Sequence, residues 1–337
     1  ADGQWTQAAI GFARSRGVAV ESLEMRDADG GRYAFAVQPV AGRSTAEILP
    51  DLLVRLVSGI RFEKSMRWAS DGIAFSRPIR WFVALLGEQV VPFSYARAHS
   101  GRVSRGLRSL NSPDIVITSA ASYFDAMAAN GIVVDRAQRQ RLIRQQIAEA
   151  AASVGGAAPD EPALLDEVTD LVEQPAAILG SFEERYLSLP ADVLIKVMQK
   201  HQRYFPVYQS TRLLPYFITV ANGAPRDPAV VRAGNEGVIR ARYADAAFFV
   251  EHDRRQSLEA FTPKLATLTF QEQLGSMLDK VRRLEQLTPW VAAHLGLSAE
   301  ETATAVRAAS LCKSDLATSM VVEMTSLQGI MGREYAL

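Results

Sequence analysis

Cysteine is nearly absent from this chain: Cys312 is the single one in 337 residues. That excludes an intramolecular disulfide framework and a Cys-rich zinc site, and it fits a reducing, cytoplasmic setting. Long apolar runs are missing too. The longest, such as Trp81 to Gly87, fall far short of the ~20 residues a membrane-spanning helix needs. Ala1-Asp2-Gly3 offers no initiator methionine, basic segment or apolar core of a signal peptide, so the sequence reads as a piece of something longer. Net charge is also lacking, since 37 Lys+Arg balance 37 Asp+Glu. Taken as an average, that argues against a simple polycationic nucleic-acid binder. Catalytic signatures are scarce. There is no Gly-x-Ser-x-Gly elbow, no Gly-x-x-x-x-Gly-Lys-Ser/Thr loop and no Gly-x-Gly-x-x-Gly turn. Cys312 sits in an apolar helical stretch, where packing explains it better than nucleophilic chemistry.

What is present is an ordinary folded composition, 48% hydrophobic and 22% charged, with length for two or three domains of about 100–200 residues. The charge is not spread evenly. From Arg61 to Arg108, nine basic residues face only Glu63, Asp71 and Glu88. From Asp160 to Asp192, nine acidic residues face only Arg185. Neutrality therefore hides a basic block and an acidic block.

Local patterns predict a helix over 5–16, a strand over 32–40 entered through Gly30-Gly31, and a helix from Ser44 to about Ser58. Ile79–Leu86 and Gln89–Tyr95 form an expected hairpin at Gly87-Glu88. A strand at 114–118 and an Ala-rich helix to Asn130-Gly131 follow, then the short β-branched stretch 132–134. Asp135 should cap a long helix to about Val154. Gly155 to Pro162 is the most linker-like stretch. Beyond it come a helix (163–173), a strand (176–179), a helix (190–200) and strands at 204–208 and 214–220. From Pro228 strand signals vanish. Helices are expected over 229–256, 274–295 and 298–311, the last opened by a Ser298/Glu301 capping box. The expected class is α+β, with a mixed body to about residue 225 and an all-helical region after it. The expected segments are 1–60, 61–225 and 226–337.

Two stretches interleave bases with aromatics: Lys64-Ser65-Met66-Arg67-Trp68 and Arg77-Pro78-Ile79-Arg80-Trp81. Cationic groups neutralise phosphates and aromatic faces stack unpaired bases; equally, the tryptophans could be core residues with solvated arginines around them. Arg102, Arg105 and Arg108 continue the block. A second dense stretch, Met198 to Pro206, carries Lys200, His201 and Arg203, which could contact RNA or complement a helix C-terminus. In a third, Gly234 to Phe249, Arg240, Arg242 and Asp245 could bind a ligand or form an internal network. His201, His252-Asp253 and Asp315 follow the order of a metal-dependent phosphohydrolase. The alternative is that His252 and Asp253 lie on the polar face of a helix.

Taken in order, these stretches resemble the β subunit of the bacterial heterotetrameric glycyl-tRNA synthetase. The likeness rests on Lys64–Trp68, Arg77-Pro78, Leu164–Thr169 with Leu171–Glu173, and His201-Gln202-Arg203-Tyr204-Phe205-Pro206. It continues through Gly234–Glu236 and Arg240–Arg242, Gln271–Gly275 with Asp279-Lys280, Lys313–Leu316, and Leu327–Arg333. The resemblance implies a division of labour. Glycine activation with ATP belongs to the α subunit, so no cofactor and no aminoacylation site are expected in this chain. The β subunit binds tRNA(Gly) within an α2β2 assembly. Lys64, Arg67, Arg77, Arg80, Arg102, Arg105, Arg108, Lys200, His201 and Arg203 are the candidate tRNA contacts. The resemblance also implies that the mixed body is similar to the editing-type domain of phenylalanyl-tRNA synthetase, followed by the start of an HD-like helical domain. An extreme N-terminal segment and a C-terminal anticodon-binding domain would lie outside the chain. Three positions depart from the family pattern. Gly106-Leu107-Arg108-Ser109 stands where Gly-His-Arg-Phe is usual, Gly237 replaces an arginine, and His252 occupies a position that is not usually histidine.

Overall fold

Thr6 acts as an N-cap, its Oγ1 accepting the Ala9 N–H at 3.2 Å to start α1 (Gln7–Ser15). The computed structural model describes residues 5–28, 30–38, 41–68 and 72–337; Ala1-Asp2-Gly3 and the end of the expected strand, Pro39–Val40, lie outside them. The chain divides into two compact units, Ala1–Arg102 with Thr118–Ala120, and Val103–Ile117 with Ala121–Leu337.

In the first unit, β1 (Leu23–Ala28) and β2 (Gly31–Ala36) form an antiparallel ladder in which Leu23 faces Ala36. The turn between them uses Gly30 at φ +76°, a conformation that costs glycine little. β1 was not expected, because Leu23-Glu24-Met25-Arg26-Asp27-Ala28 carries three charges and becomes a strand through its pairing. A Ser44/Glu47 capping box opens α2 (Thr45–Gly59). Next come β3 (Met66–Arg67) with β4 (Ala74–Phe75), and β5 (Phe82–Val83). The expected hairpin at Gly87-Glu88 is β6 (Leu85–Leu86) with β7 (Gln89–Val90). β8 (Ser94–Tyr95) and β9 (Ala98–Gly101) close a three-stranded sheet ordered β5-β9-β8, with β5 and β9 parallel. Arg102 ties residue 118 into this unit, its guanidinium donating to the Glu88 carbonyl at 2.9 Å and the Thr118 carbonyl at 3.3 Å.

The second unit begins with the ladder of β10 (Val103–Arg105) and β11 (Asp114–Val116), followed by α3 (Tyr123–Ala129). Asp135 accepts the Gln138 N–H at 2.8 Å and starts α4 (Arg136–Ala152) as expected. The β-branched stretch 132–134 forms no strand. There the Arg139 guanidinium donates to the Val133 carbonyl at 2.6 Å, and the Val133 N–H bonds the Glu173 carbonyl. α5 (Pro162–Leu171), β12 (Pro175–Ser181) and α6 (Ala191–Lys196) follow. A single π-turn, Val197–Gln202, runs into β13 (Phe205–Gln209) and β14 (Arg212–Asn222).

β14 is the middle of an antiparallel sheet ordered β12-β14-β13. Alternation along it builds two cores. Leu214 and Ile218 join Phe205 and Val207 against Ile143, Ile147 and Ala151 of α4 and Leu165 and Val168 of α5. Leu213 and Phe217 face the other way, onto Leu194 of α6 and Ile239, Tyr243 and Val250 of α7 (Pro228–Asp253). Each fully buried side chain of this size contributes about 1.5–3 kcal/mol. The open edge of β12 is masked by side chains. Gln146 accepts the Ala177 N–H at 2.8 Å and donates to the Pro175 carbonyl, while Glu236 accepts the Ser181 N–H at 2.9 Å.

Gly155 to Pro162 is not a linker. Ala157 exchanges both backbone hydrogen bonds with Tyr208, at 2.7 and 2.8 Å, and extends the sheet past β13. A Cβ on Gly156 would stand 2.6 Å from the Val207 side chain, so the small residue is what lets the segment approach. The region after Pro228 is mainly helical but not wholly so. Thr269–Gln271 (β15) pairs with Gly275–Ser276 (β16) in a tight hairpin, with Gly275 at φ +81° and Gln271 accepting the Gln273 and Leu274 N–H groups. α8 (Met277–His294) and α9 (Ala299–Leu311) then pack as a pair. Capping boxes open both, Ser276/Asp279 and the expected Ser298/Glu301. α10 (Ser319–Glu323) and α11 (Ile330–Ala336) add Met320, Val321 and Met331 to the core around Phe217. Among the described residues no helix is long and apolar enough to cross a membrane.

Candidate nucleic-acid interface

The two charge blocks behave differently once folded. Most of the acidic block is engaged inside the second unit. Arg136 bridges Asp166 and Asp170, Arg144 meets Asp160 at 3.5 Å, and Arg203 holds Glu167 at 2.8 Å. Arg240 pairs with Glu183 at 2.7 Å, Gln199 donates to Glu161, and Arg333 reaches Asp192. The Arg136 bonds hold the Asp170 carboxyl below its usual range. A hydrogen bond within its own backbone, then Arg240, does the same for Glu183. Each exposed pair contributes little to stability, but together they neutralise negative charge at the surface.

The basic block is mostly left over. Lys64, Arg67, Arg77 and Arg80 are exposed in the first unit, and none has a hydrogen-bond or ion-pair partner among the described residues. The aromatics between them divide in role. Trp68 is half-buried edge-on to Phe75, which also takes Phe62 at 4.7 Å, so the β3–β4 hairpin has its own aromatic core. Trp81 is 39% exposed with the Arg80 guanidinium 5.9 Å above its ring, a surface arrangement. Two candidates are structural ties: Arg102 on its carbonyls and Arg105 ion-paired with Asp114. Arg108 is exposed without such a partner among the described residues, on the turn Arg108–Leu110 of the second unit.

The π-turn shapes the second dense stretch. Buried Val197 and Met198 anchor it, the Tyr204 N–H bonds the Met198 carbonyl, and Arg203 turns the chain at φ +56°. π-turns interrupt helices where side chains need re-aiming; here Lys200 and His201 are left exposed. Arg203 points away to Glu167. α7 is fixed beside the turn by two hydroxyls, Tyr204 donating to Asn235 Oδ1 at 2.6 Å and Tyr243 donating to the Leu194 carbonyl at 3.2 Å. Partial burial lowers the His201 pKa, reinforced by Arg242 and Lys200, so the ring is neutral at pH 7.

The third stretch splits the same way. Arg240 belongs to an internal network through Glu183, and Glu236 caps the β12 edge. Arg242 is exposed beside His201 without an ion-pair partner among the described residues. Helical spacing alone could not separate Arg240 from Arg242; the ion pair with Glu183 does.

The phosphohydrolase alternative fails on its carboxylates. Asp253 is 1% exposed and accepts the Ser319 and Met320 N–H groups at 2.8 and 2.9 Å, plus the Tyr335 hydroxyl at 3.0 Å. It caps α10. Asp315 accepts the Gly329 and Gly332 N–H groups through one oxygen, and the other is buried without a partner. His252 is exposed against Phe248. Among the described residues no three His, Cys, Asp or Glu side chains are placed to hold a metal. Cys312 is exposed at the end of α9 rather than packed inside.

Comparison with known proteins identifies the family. The sequence profile described as glycyl-tRNA synthetase beta subunit matches residues 1–337. The chain belongs to that family. It is 46% identical over 337 residues to the glycine–tRNA ligase beta subunits of Desulforudis audaxviator and Moorella thermoacetica, covering all of this chain and 49% of each relative. To the beta subunit of Synechocystis it is 43% identical over 341 residues, 47% of that protein. The chain thus spans about half the length of the curated relatives it matches. The family is the one that the ordered stretches from Lys64 to Arg333 pointed to.

Proposed function

We propose that this chain is a tRNA-binding and tRNA-positioning part of a glycine–tRNA ligase β subunit, acting with an α subunit that activates glycine with ATP. The observation that carries the reading is the charge asymmetry: acids engaged internally, and Lys64, Arg67, Arg77, Arg80, Arg108, Lys200 and His201 left exposed. Each unit offers its own cations to RNA phosphates, and Trp81 offers a ring to an unpaired base. The tRNA in question is tRNA(Gly), because the relatives are named as β subunits of the glycine enzyme; the α2β2 assembly rests on the family resemblance. The likeness to the editing-type domain of phenylalanyl-tRNA synthetase and to HD-like helices rests on the family resemblance. It agrees in outline with a mixed body followed by mainly helical elements. Co-purification tests the reading: the chain should retain both a tRNA(Gly) transcript and the α subunit. Retention of the α subunit with no measurable tRNA affinity would replace tRNA positioning with a purely structural role.

A further inference from the structure

Lys200, His201 and Arg242 come from two elements that the core holds together. The π-turn is pinned by Val197 and Met198, which have no exposed surface, and α7 by Tyr243, equally buried, whose hydroxyl bonds the Leu194 carbonyl. Tyr204, directly after the turn, bonds Asn235 two helical turns before Arg242. The two cationic side chains and the imidazole are thus presented on elements the core holds in place, all exposed, with no hydrogen-bond or ion-pair partner among the described residues. A neutral imidazole beside two fixed cations gains nothing inside the protein, since both disfavour its protonation. An anion placed among the three reverses that balance. The charged groups facing His201 are Lys200 and Arg203 on its own segment, Arg242 on α7, and Glu323 at the end of α10. Glu323 is exposed and is the one acid among them.

Resting on the tRNA-binding reading above, we infer that Lys200, His201 and Arg242 form one binding site for an RNA backbone phosphate, with Glu323 as the neighbouring acid that works against the phosphate. A phosphodiester sits between a point charge from lysine and the planar donors of arginine. The imidazole adds a further N–H once it is protonated. Binding is therefore proton-linked. The bound phosphate raises the His201 pKa from its lowered free value, so the site takes up a proton as RNA binds. Affinity gains begin as pH falls through the bound pKa and are complete below the free one. A rise of one pKa unit on binding gives a gain of about tenfold.

The test measures tRNA(Gly) affinity of the whole chain at pH 7.5 and 5.5, at constant ionic strength, beside an NMR titration of the His201 ring with and without tRNA. The ring titration needs no variant other than His201→Gln to assign its signal. The expected results are a raised His201 pKa in the complex and several-fold tighter binding at pH 5.5. His201→Gln should abolish that His201-linked gain. Arg242→Gln should weaken binding severalfold and lower the salt slope by roughly 0.7–0.9, while Glu323→Gln should tighten it. If tRNA binds but the His201 pKa stays unchanged and these variants bind like wild type, the site is overturned and the tRNA-binding reading stands. If inorganic phosphate shifts His201 and tRNA does not bind, the RNA assignment falls together with that reading.

Discussion

Gly180 lies directly opposite Phe217 across the β12–β14 ladder, and a Cβ at residue 180 would come within 2.4 Å of the Phe217 ring. The ring lies over the glycine and stacks on Tyr204 with centroids 4.7 Å apart, closing the core beneath the π-turn. Gly180→Ala should therefore destabilise the second unit by about 1–3 kcal/mol through overpacking, read as a lower urea midpoint at unchanged m-value. Gly11→Ala, at an open helical position, serves as the control and should leave the midpoint unchanged or raise it slightly.

Asp253 ties three elements through one carboxylate. Asp253→Asn puts an amide NH2 where an acceptor is needed, which should cost roughly 1–3 kcal/mol. Tyr335→Phe removes one bond and should cost about 1 kcal/mol. Burial and the neighbouring Asp253 carboxylate raise the Tyr335 pKa, so the phenol stays protonated and donating throughout the neutral range. Added divalent metal should leave the wild-type melting midpoint unchanged; a rise that Asp253→Asn abolishes would revive a metal site at this carboxylate.

Two capping carboxylates give the α8–α9 pair an acid limit. Hydrogen bonds from Ser276 lower the Asp279 pKa from 3.8, and those from Ser298 lower that of Glu301 from 4.5. A depressed carboxylate stabilises the fold above its unfolded pKa and loses that contribution as pH falls through the folded one. Acidification from pH 5 to below pH 3.5 should therefore loosen the pair, seen as faster amide exchange at the first turns of α8 and α9. Ser298→Ala should cost about 1 kcal/mol at pH 7 and less in acid.

Local chemistry was readable along the chain. The Asp135 cap, the Ser298/Glu301 box, the turn at Gly87-Glu88 and the mixed α and β content all follow from residues a few positions apart. What escaped depends on distant partners. β1 exists because β2 pairs with it, and Ala157 joins the sheet edge because Tyr208 meets it in an isolated bridge. The site was legible as a set of basic stretches but not as a set of free cations. Arg203 finds Glu167 thirty-six residues away and Arg240 finds Glu183 fifty-seven away. No window of sequence shows those pairs, and they separate engaged arginines from available ones.

The engaged arginines give a direct contrast. Arg105→Gln and Arg203→Gln remove charges already neutralised by Asp114 and Glu167. They should leave the salt dependence of tRNA binding within error of wild type, with any effect confined to thermal stability of a few tenths of a kcal/mol.

The central claim is that Lys64, Arg67, Arg77 and Arg80 are available charges in the first unit. The most direct measurement is the slope of log affinity for tRNA(Gly) against log salt, for the wild-type chain and for the variant with all four changed to Gln. The account predicts a slope shallower by roughly 0.7–0.9 for each RNA phosphate deprived of its cation, with weaker binding at every salt concentration. An unchanged slope and affinity in the fourfold variant would contradict it.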